Sequence, residues 1–323
     1  MTGDPLSPAA RALCDALTAG FPGPGDAAAL RAAAAGGRTR PEGLAVARVH
    51  DTDAGGVPVR IYDPEPGGAG RPLVVYFHGG GWVMCGLDSH DPVCRALVAA
   101  SGAVVVSADY RLAPEHPWPA AVDDALTVLL WARAQAGHLG CDPGRVTVAG
   151  DSSGGNLAAV TALRAPGAVA GQLLVYPPLD ASMRSASVDR YARGYFHTAA
   201  HMAWYWEQYG GDPHHPHVSP SAAPDVSRLP RTLMVLADCD VLRDEGLAYA
   251  RRLAAAGVDC AVHLYPGVFH GFLGLPLPAA SSALRAAAAW LAHQGAAEGS
   301  GSRADGASGP RGRSRNGGGT MGG

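Results

Sequence analysis

Short runs that are apolar at nearly every position recur through the middle and end of the chain. They are LVVYF (73–77), AVVVSA (103–108), RVTVAG (145–150), QLLVY (172–176), TLMVLA (232–237) and CAVHLY (260–265). Continuous β-branched runs suit strands buried on both faces of a parallel sheet, whereas a half-exposed strand alternates polar and apolar residues. Stretches of helical composition lie between them, near 89–100, 119–136, 153–164, 243–256 and 279–293. The alternation predicts an α/β fold: a mostly parallel central sheet with helices on both faces. Upstream, residues 6–20 and 26–35 read as helices separated by the breaker run FPGPG. LAVARVH (44–50) and VPVRIYD (57–63) read as an antiparallel pair turning at DTDAGG.

One interval is too long for a simple crossover. Residues 178–230 carry HMAWYWEQYG and the Pro/His-rich GDPHHPHVSP, and predict a helical insertion over one end of the sheet. The tail, 296–323, is rich in Gly, Ser and Arg, has almost no large apolar residue, and is expected to be disordered. Composition adds boundaries. The net charge of −3 (25 basic, 28 acidic residues) gives no reason to expect a nucleic-acid or anionic-membrane partner. All the basic residues are arginine, which with the abundant Ala and Gly marks a high-GC genome rather than a function. The six cysteines lack C-x-x-C spacing, so neither a disulfide framework nor a zinc site is expected. The N-terminus lacks a secretory pattern, and no window reaches the length of a membrane span. A cytoplasmic protein with reduced thiols is the expectation.

Candidate chemistry centres on RVTVAG-DSSGG-NLAAVTAL, which reads strand, sharp turn, helix. Gly150-Asp151-Ser152-Ser153-Gly154 fits G-x-S-x-G, in which the central serine is held out above the sheet on a tight turn. Ser152 is then the nucleophile, and the Ser153 N–H, at a helix start, is free to donate. The competing reading of the pentapeptide alone is a structural or phosphate-binding turn. A second feature is His78-Gly79-Gly80-Gly81-Trp82, directly after the strand at 73–77. Three glycines let backbone N–H groups face a ligand, as an oxyanion requires. A serine also needs a base, and the base an orienting acid. In the G-x-S-x-G class these follow in the order acid, then His. LADCDVLRDEG supplies Asp238 and Asp240 after the strand at 232–237, and YPGVFHGF supplies His270 after the last strand. Spacing alone does not separate Asp238 from Asp240. Asp244 and Glu245 are expected in the first turn of the next helix.

With HGGGW (78–82), DYRLAPEHPWPAAVDD (109–124), GDSSGGN (150–156), VSP (218–220), DVLRDEG (240–246), YARRLAAAGV (249–258) and HGF (270–272) in this order, the chain resembles the hormone-sensitive-lipase-like (bacterial family IV) esterases of the α/β-hydrolase superfamily. The resemblance covers residues 40–293. It implies Asp240 as the triad acid. It also implies an oxyanion hole of Gly80, Gly81 and Ser153 N–H groups, with Gly79 the substitute should the loop register differ by one. It implies N-terminal cap helices in 1–40 and an α/β-hydrolase domain in 41–295 with a cap insertion near 183–224. A serine carboxylesterase acting on short- to medium-chain esters through an acyl-enzyme follows, without metal or organic cofactor, and a homodimer. Two positions depart from the family pattern. Ser153 stands for the usual Ala, which leaves its N–H unaffected, and Val241 stands for the usual Pro after the acid, which frees one turn beside Asp240.

Rival functions on this scaffold are an amide or N-acetyl hydrolase of a specialised metabolite, a non-catalytic small-molecule receptor and a lyase. A receptor would have lost the base, which is present as His270. HHPH (214–217) lacks the ligand spacing of a metal site and reads as a cap loop. Cys85 has no matched base and reads as packing. Trp204, Tyr205, Trp206 and Tyr209 read as cap-helix packing, with one or two rings lining the acyl pocket.

Overall fold

The computed structural model describes residues 4–36 and 44–292. The tail expected at 296–323 lies outside them. The described residues fold as α1 (Pro8–Gly20), α2 (Ala27–Gly36), β1 (Arg48–Asp53), β2 (Pro58–Asp63), β3 (Arg71–Phe77), α3 (Leu87–Ser101), β4 (Val104–Ala108), α4 (Ala120–Gln135), β5 (Cys141–Asp151) and α5 (Ser153–Arg164). There follow β6 (Gly171–Val175), α6 (Ala186–Arg190), α7 (Ala199–Tyr209), β7 (Arg231–Cys239), α8 (Arg243–Ala255), β8 (Cys260–Phe269) and α9 (Pro278–Ala292). Local chemistry marks the ends. The Ser7 side chain accepts from the Ala10 N–H with Pro8 at the first helical position, and Gly102 closes α3 in the left-handed conformation.

The eight strands form one sheet in the order β1-β2-β4-β3-β5-β6-β7-β8. β1 and β2, and β2 and β4, pair antiparallel; every other pairing is parallel. Successive strand residues face opposite sides, so the complete burial of β4 and β6 requires helices on both faces. α3 packs on α9, and α4 on α5.

Two expectations change. The strand expected at 44–50 runs instead from Arg48 to Asp53, because pairing Arg48 with Asp63 and Asp53 with Pro58 fixes its register; the turn shrinks to the residues between them. The run CAVHLY does not lie in the sheet interior. β8 is an edge strand, with Val262 and Leu264 exposed at 38% and 42%. Its apolar pattern reports composition, not two covered faces. Among the described residues no helix is long and apolar enough to cross a membrane.

The insertion between β6 and β7 carries α6 and α7, and the N-terminal segment packs on it. Arg11 donates to the Gly194 carbonyl, Phe21 meets Phe196 and His197 edge-on, and the His201 ring reaches the Pro22 carbonyl. Arg31 on α2 ties this layer to the loops that follow β3 and β4, through the Val83 and Ala113 carbonyls and Glu115.

Candidate active site

β5 ends at Asp151, and Ser152 follows with φ 52° and ψ −126°, a conformation an L-residue adopts only under constraint. The constraint is visible on both sides. The Ser152 N–H donates to the Val175 carbonyl on β6, and α5 begins at once, with Asn156 N–H donating to the Ser152 carbonyl. Gly154 is required by close approach: a Cβ there would run into the Phe77 carbonyl. Ser153 is the first residue of α5, so its N–H has no intrahelical acceptor.

β8 ends at Phe269, and His270 follows, before Gly271 turns the chain in the left-handed region. His270 Nε2 lies 2.8 Å from Ser152 Oγ, and its Nδ1 lies 2.8 Å from Asp240 Oδ2. His270 and Asp240 are buried, and Ser152 is 9% exposed. The two aspartates left open by spacing do different things. Asp238 pairs with Arg243 at 3.2 Å. Asp240 lies in the turn past the strand, its Oδ1 accepting the Leu242 N–H at 2.9 Å while Oδ2 faces the imidazole. The turn at Val241 is not loose, because the Val241 carbonyl accepts from Ser187 Oγ at 2.7 Å. Asp244 and Glu245 do stand in the first turn of α8. Burial pushes the Glu245 pKa up, and its carboxyl accepts the Leu179 N–H.

The glycine loop starts beside this turn, because Phe77 of β3 pairs with Gly150 of β5. His78 stacks on Tyr110, whose hydroxyl donates to the His78 carbonyl at 2.7 Å. Gly80 and Gly81 both have positive φ, and the Gly80 carbonyl accepts from the Val83 and Met84 N–H groups. Gly81 is roofed by α7: a Cβ on it would stand 2.5 Å from the Tyr205 ring. Trp206 and Tyr209 pack instead on the buried Trp82, at 4.5 and 4.2 Å between ring centroids. The HHPH histidines make ring contacts, His215 against Trp118 and His217.

Two residues near the triad carry no mark in the sequence. Tyr176, at the end of β6, places its ring 4.7 Å from His270. His197, in the insertion, meets His270 edge-on at 5.3 Å and Tyr205 at 5.9 Å. Burial, reinforced by the neighbouring His270 and His201, holds the His197 pKa well below the usual value. His197 Nδ1 and the Tyr205 hydroxyl are buried without a hydrogen-bond partner. No motif could have flagged His197, since its contact with His270 arises only when the insertion folds back over the sheet.

Residues 74–274 match the profile of the family described as alpha/beta hydrolase fold. The chain belongs to the α/β-hydrolase family. The carboxylic ester hydrolase LipN of Mycobacterium tuberculosis is 42% identical over 69% of this chain, a match spanning 62% of that relative's length. The ethyl acetate hydrolase of Pseudomonas putida is 40% identical over 74% of this chain and 78% of its own. Among solved structures, the hyperthermophilic esterase of the archaeon Pyrobaculum calidifontis superposes with a TM-score of 0.82 at 38% identity, covering 90% of this chain and 98% of that one. These relatives agree with the hormone-sensitive-lipase-like resemblance of the motifs.

Proposed function

We propose that this α/β-hydrolase is a serine carboxylesterase acting on small short- to medium-chain carboxylic esters. The observation that carries the reading is the unbroken chain Ser152 Oγ–His270–Asp240, with both links at 2.8 Å. His270 Nε2 takes the Ser152 proton as Oγ attacks the ester carbonyl. The proton then passes to the leaving alcohol, and water releases the acyl group by the same steps. Asp240 holds the imidazole by its Nδ1–H and stabilises the imidazolium. Gly80, Gly81 and Ser153 N–H groups receive the oxyanion, each donor worth about 2.7–4 kcal/mol of transition-state stabilisation. The N-terminal helices and the 183–224 insertion act as a cap. The Tyr205 and His197 roof above Gly81 and His270 limits acyl length.

The test is hydrolysis of a p-nitrophenyl ester series, acetate to palmitate, by wild type and Ser152→Ala. We expect turnover highest on the short acyl chains and a loss on the order of 10⁶-fold in kcat for the variant. Full activity in Ser152→Ala, or a preference for palmitate, would overturn the reading.

The protein is further proposed to work as a homodimer in the cytoplasm. All six cysteines are free thiols, as a reducing compartment requires. Of the four exposed large hydrophobic side chains among the described residues, two sit on the β8 edge, and residues 260–269 contain no Asp, Glu, Lys or Arg. An uncharged apolar edge is a template for a second strand, and a second copy across a two-fold axis supplies the same edge.

A further inference from the structure

Asp151, the variable position within G-x-S-x-G, takes no part in the mechanism above. Yet it is a buried carboxylate immediately before the nucleophile. Its Oδ1 accepts from the Tyr76 hydroxyl at 2.7 Å and from the Gly79 N–H at 3.1 Å. His90 Nε2 stands 3.2 Å from the same oxygen and 3.4 Å from Oδ2. The three groups come from β3, from the glycine loop and from α3. His90 is fixed in turn: its Nδ1 lies 2.8 Å from Ser89 Oγ, which both accepts the Gly86 N–H and donates to the Gly86 carbonyl. Burial works to raise the Asp151 pKa, but His90, Tyr76 and His78 outweigh it and hold the carboxyl below its usual range.

A turn before a helix does not need a buried charge, and a buried carboxylate is costly unless several donors satisfy it. Here one of those donors belongs to the loop that carries the oxyanion glycines. Gly79 is pressed so closely on the carboxylate that a Cβ would collide with Oδ2. Glycines at 79–81 have no side chains of their own to hold the loop, while oxyanion donors are effective only when fixed before the charge develops. Tyr110 secures the loop at His78 from the other side.

We propose that Asp151, held by His90 and Tyr76, is a positioning residue that ties the backbone carrying Ser152 to the backbone carrying Gly80 and Gly81, and so sets the oxyanion donors against the nucleophile. The proposal rests on the esterase reading above. It separates from a role in stability alone by which quantity moves. Asp151→Ala is expected to lower kcat about a hundredfold, the lower end of what loss of one oxyanion donor costs, with KM within about threefold of wild type. Asp151→Asn, which still offers an oxygen to the Gly79 N–H, recovers part of the loss. Phosphonylation of Ser152 by a p-nitrophenyl phosphonate, whose phosphoryl oxygen occupies the same hole, slows in parallel with kcat.

Wild-type kcat in a folded Asp151→Ala, or a fall in melting temperature with kcat and phosphonylation unchanged, overturns the proposal. Should Asp151→Ala fail to fold, Tyr76→Phe and His90→Leu each remove one brace. A lowered kcat in either at unchanged KM supports the proposal, and wild-type kcat in both overturns it. A wild type that is phosphonylated but hydrolyses no ester sinks only the substrate reading, and the phosphonylation rates still decide the role of Asp151. A wild type that is not phosphonylated overturns both.

Discussion

At the scale of single residues, two imidazoles meet edge to face beside Asp240 and Ser152, one of them His270, and they differ in their surroundings. His270 is proposed to gain and lose a proton in every cycle. The His197 pKa is pushed down by burial, then by the repulsion of His270 and His201. A histidine whose folded pKa is depressed lends stability that is present in full above its unfolded pKa near 6.5 and is lost as pH falls below that value. Thermal denaturation at pH 7.5 and pH 5 is therefore expected to show a larger fall in melting temperature for wild type than for His197→Phe. Equal falls would show that the ring is protonated without penalty. The members of the proposed triad differ in how far the sequence revealed them. Ser152 and His270 stand in short motifs at strand ends, where chain order alone suggests their pairing. Asp238 and Asp240 could not be told apart by a period of two, because β7 stops at Cys239 and the turn beyond it is held by Leu242 and Ser187. Arg243 then engages Asp238, a contact across five residues that no alternation rule contains.

At the scale of elements, α7 and the glycine loop are fitted to one another. The aromatic stripe of α7 was legible as packing, but not which ring covers what: Trp206 and Tyr209 clasp Trp82, and Tyr205 lies on Gly81. That choice depends on the angle at which the helix crosses the loop, which the insertion's length does not encode. Gly81 has φ 60° and the Tyr205 ring against its Hα side. Gly81→Ala is expected to destabilise the protein by about 1–3 kcal/mol through overpacking, read by denaturant unfolding. Ester hydrolysis should fall at least tenfold, because the proposed oxyanion donor moves as the loop yields. Retention of both would mean that α7 shifts freely. The same tertiary dependence explains the N-terminal helices: their apolar composition was plain, but their seat on the insertion through Phe21 and Arg11 was not.

At the scale of the molecule, the sheet has two unlike edges. β1 is charged, with Arg48, Asp51 and Asp53, and Asp51 pairs with Arg60 of its neighbour. β8 exposes Val262 and Leu264. Charge blunts the first edge against pairing. On β8, Pro266 and the Ser7 N–H, which donates to the Gly267 carbonyl, interrupt only the far end, and the stretch with Val262 and Leu264 carries no charge. Light scattering is expected to give twice the chain mass for wild type and the chain mass for Val262→Arg/Leu264→Arg, with ester turnover per chain within a few-fold of wild type. A monomeric wild type would refute the pairing. Run composition gave strand identity along the chain but no spatial order, since β3 and β4 exchange places and β8 looks as apolar as the interior strands.

Ser152 and His270 are 118 residues apart, and the strand that delivers the histidine is the last of the sheet. During synthesis the serine turn, completed once β6 supplies the Val175 carbonyl, therefore emerges from the ribosome well before its proposed base. Under the proposed mechanism, a nascent chain in which β8 has not yet paired with β7 holds the nucleophile without its base and is expected to cleave no ester around it.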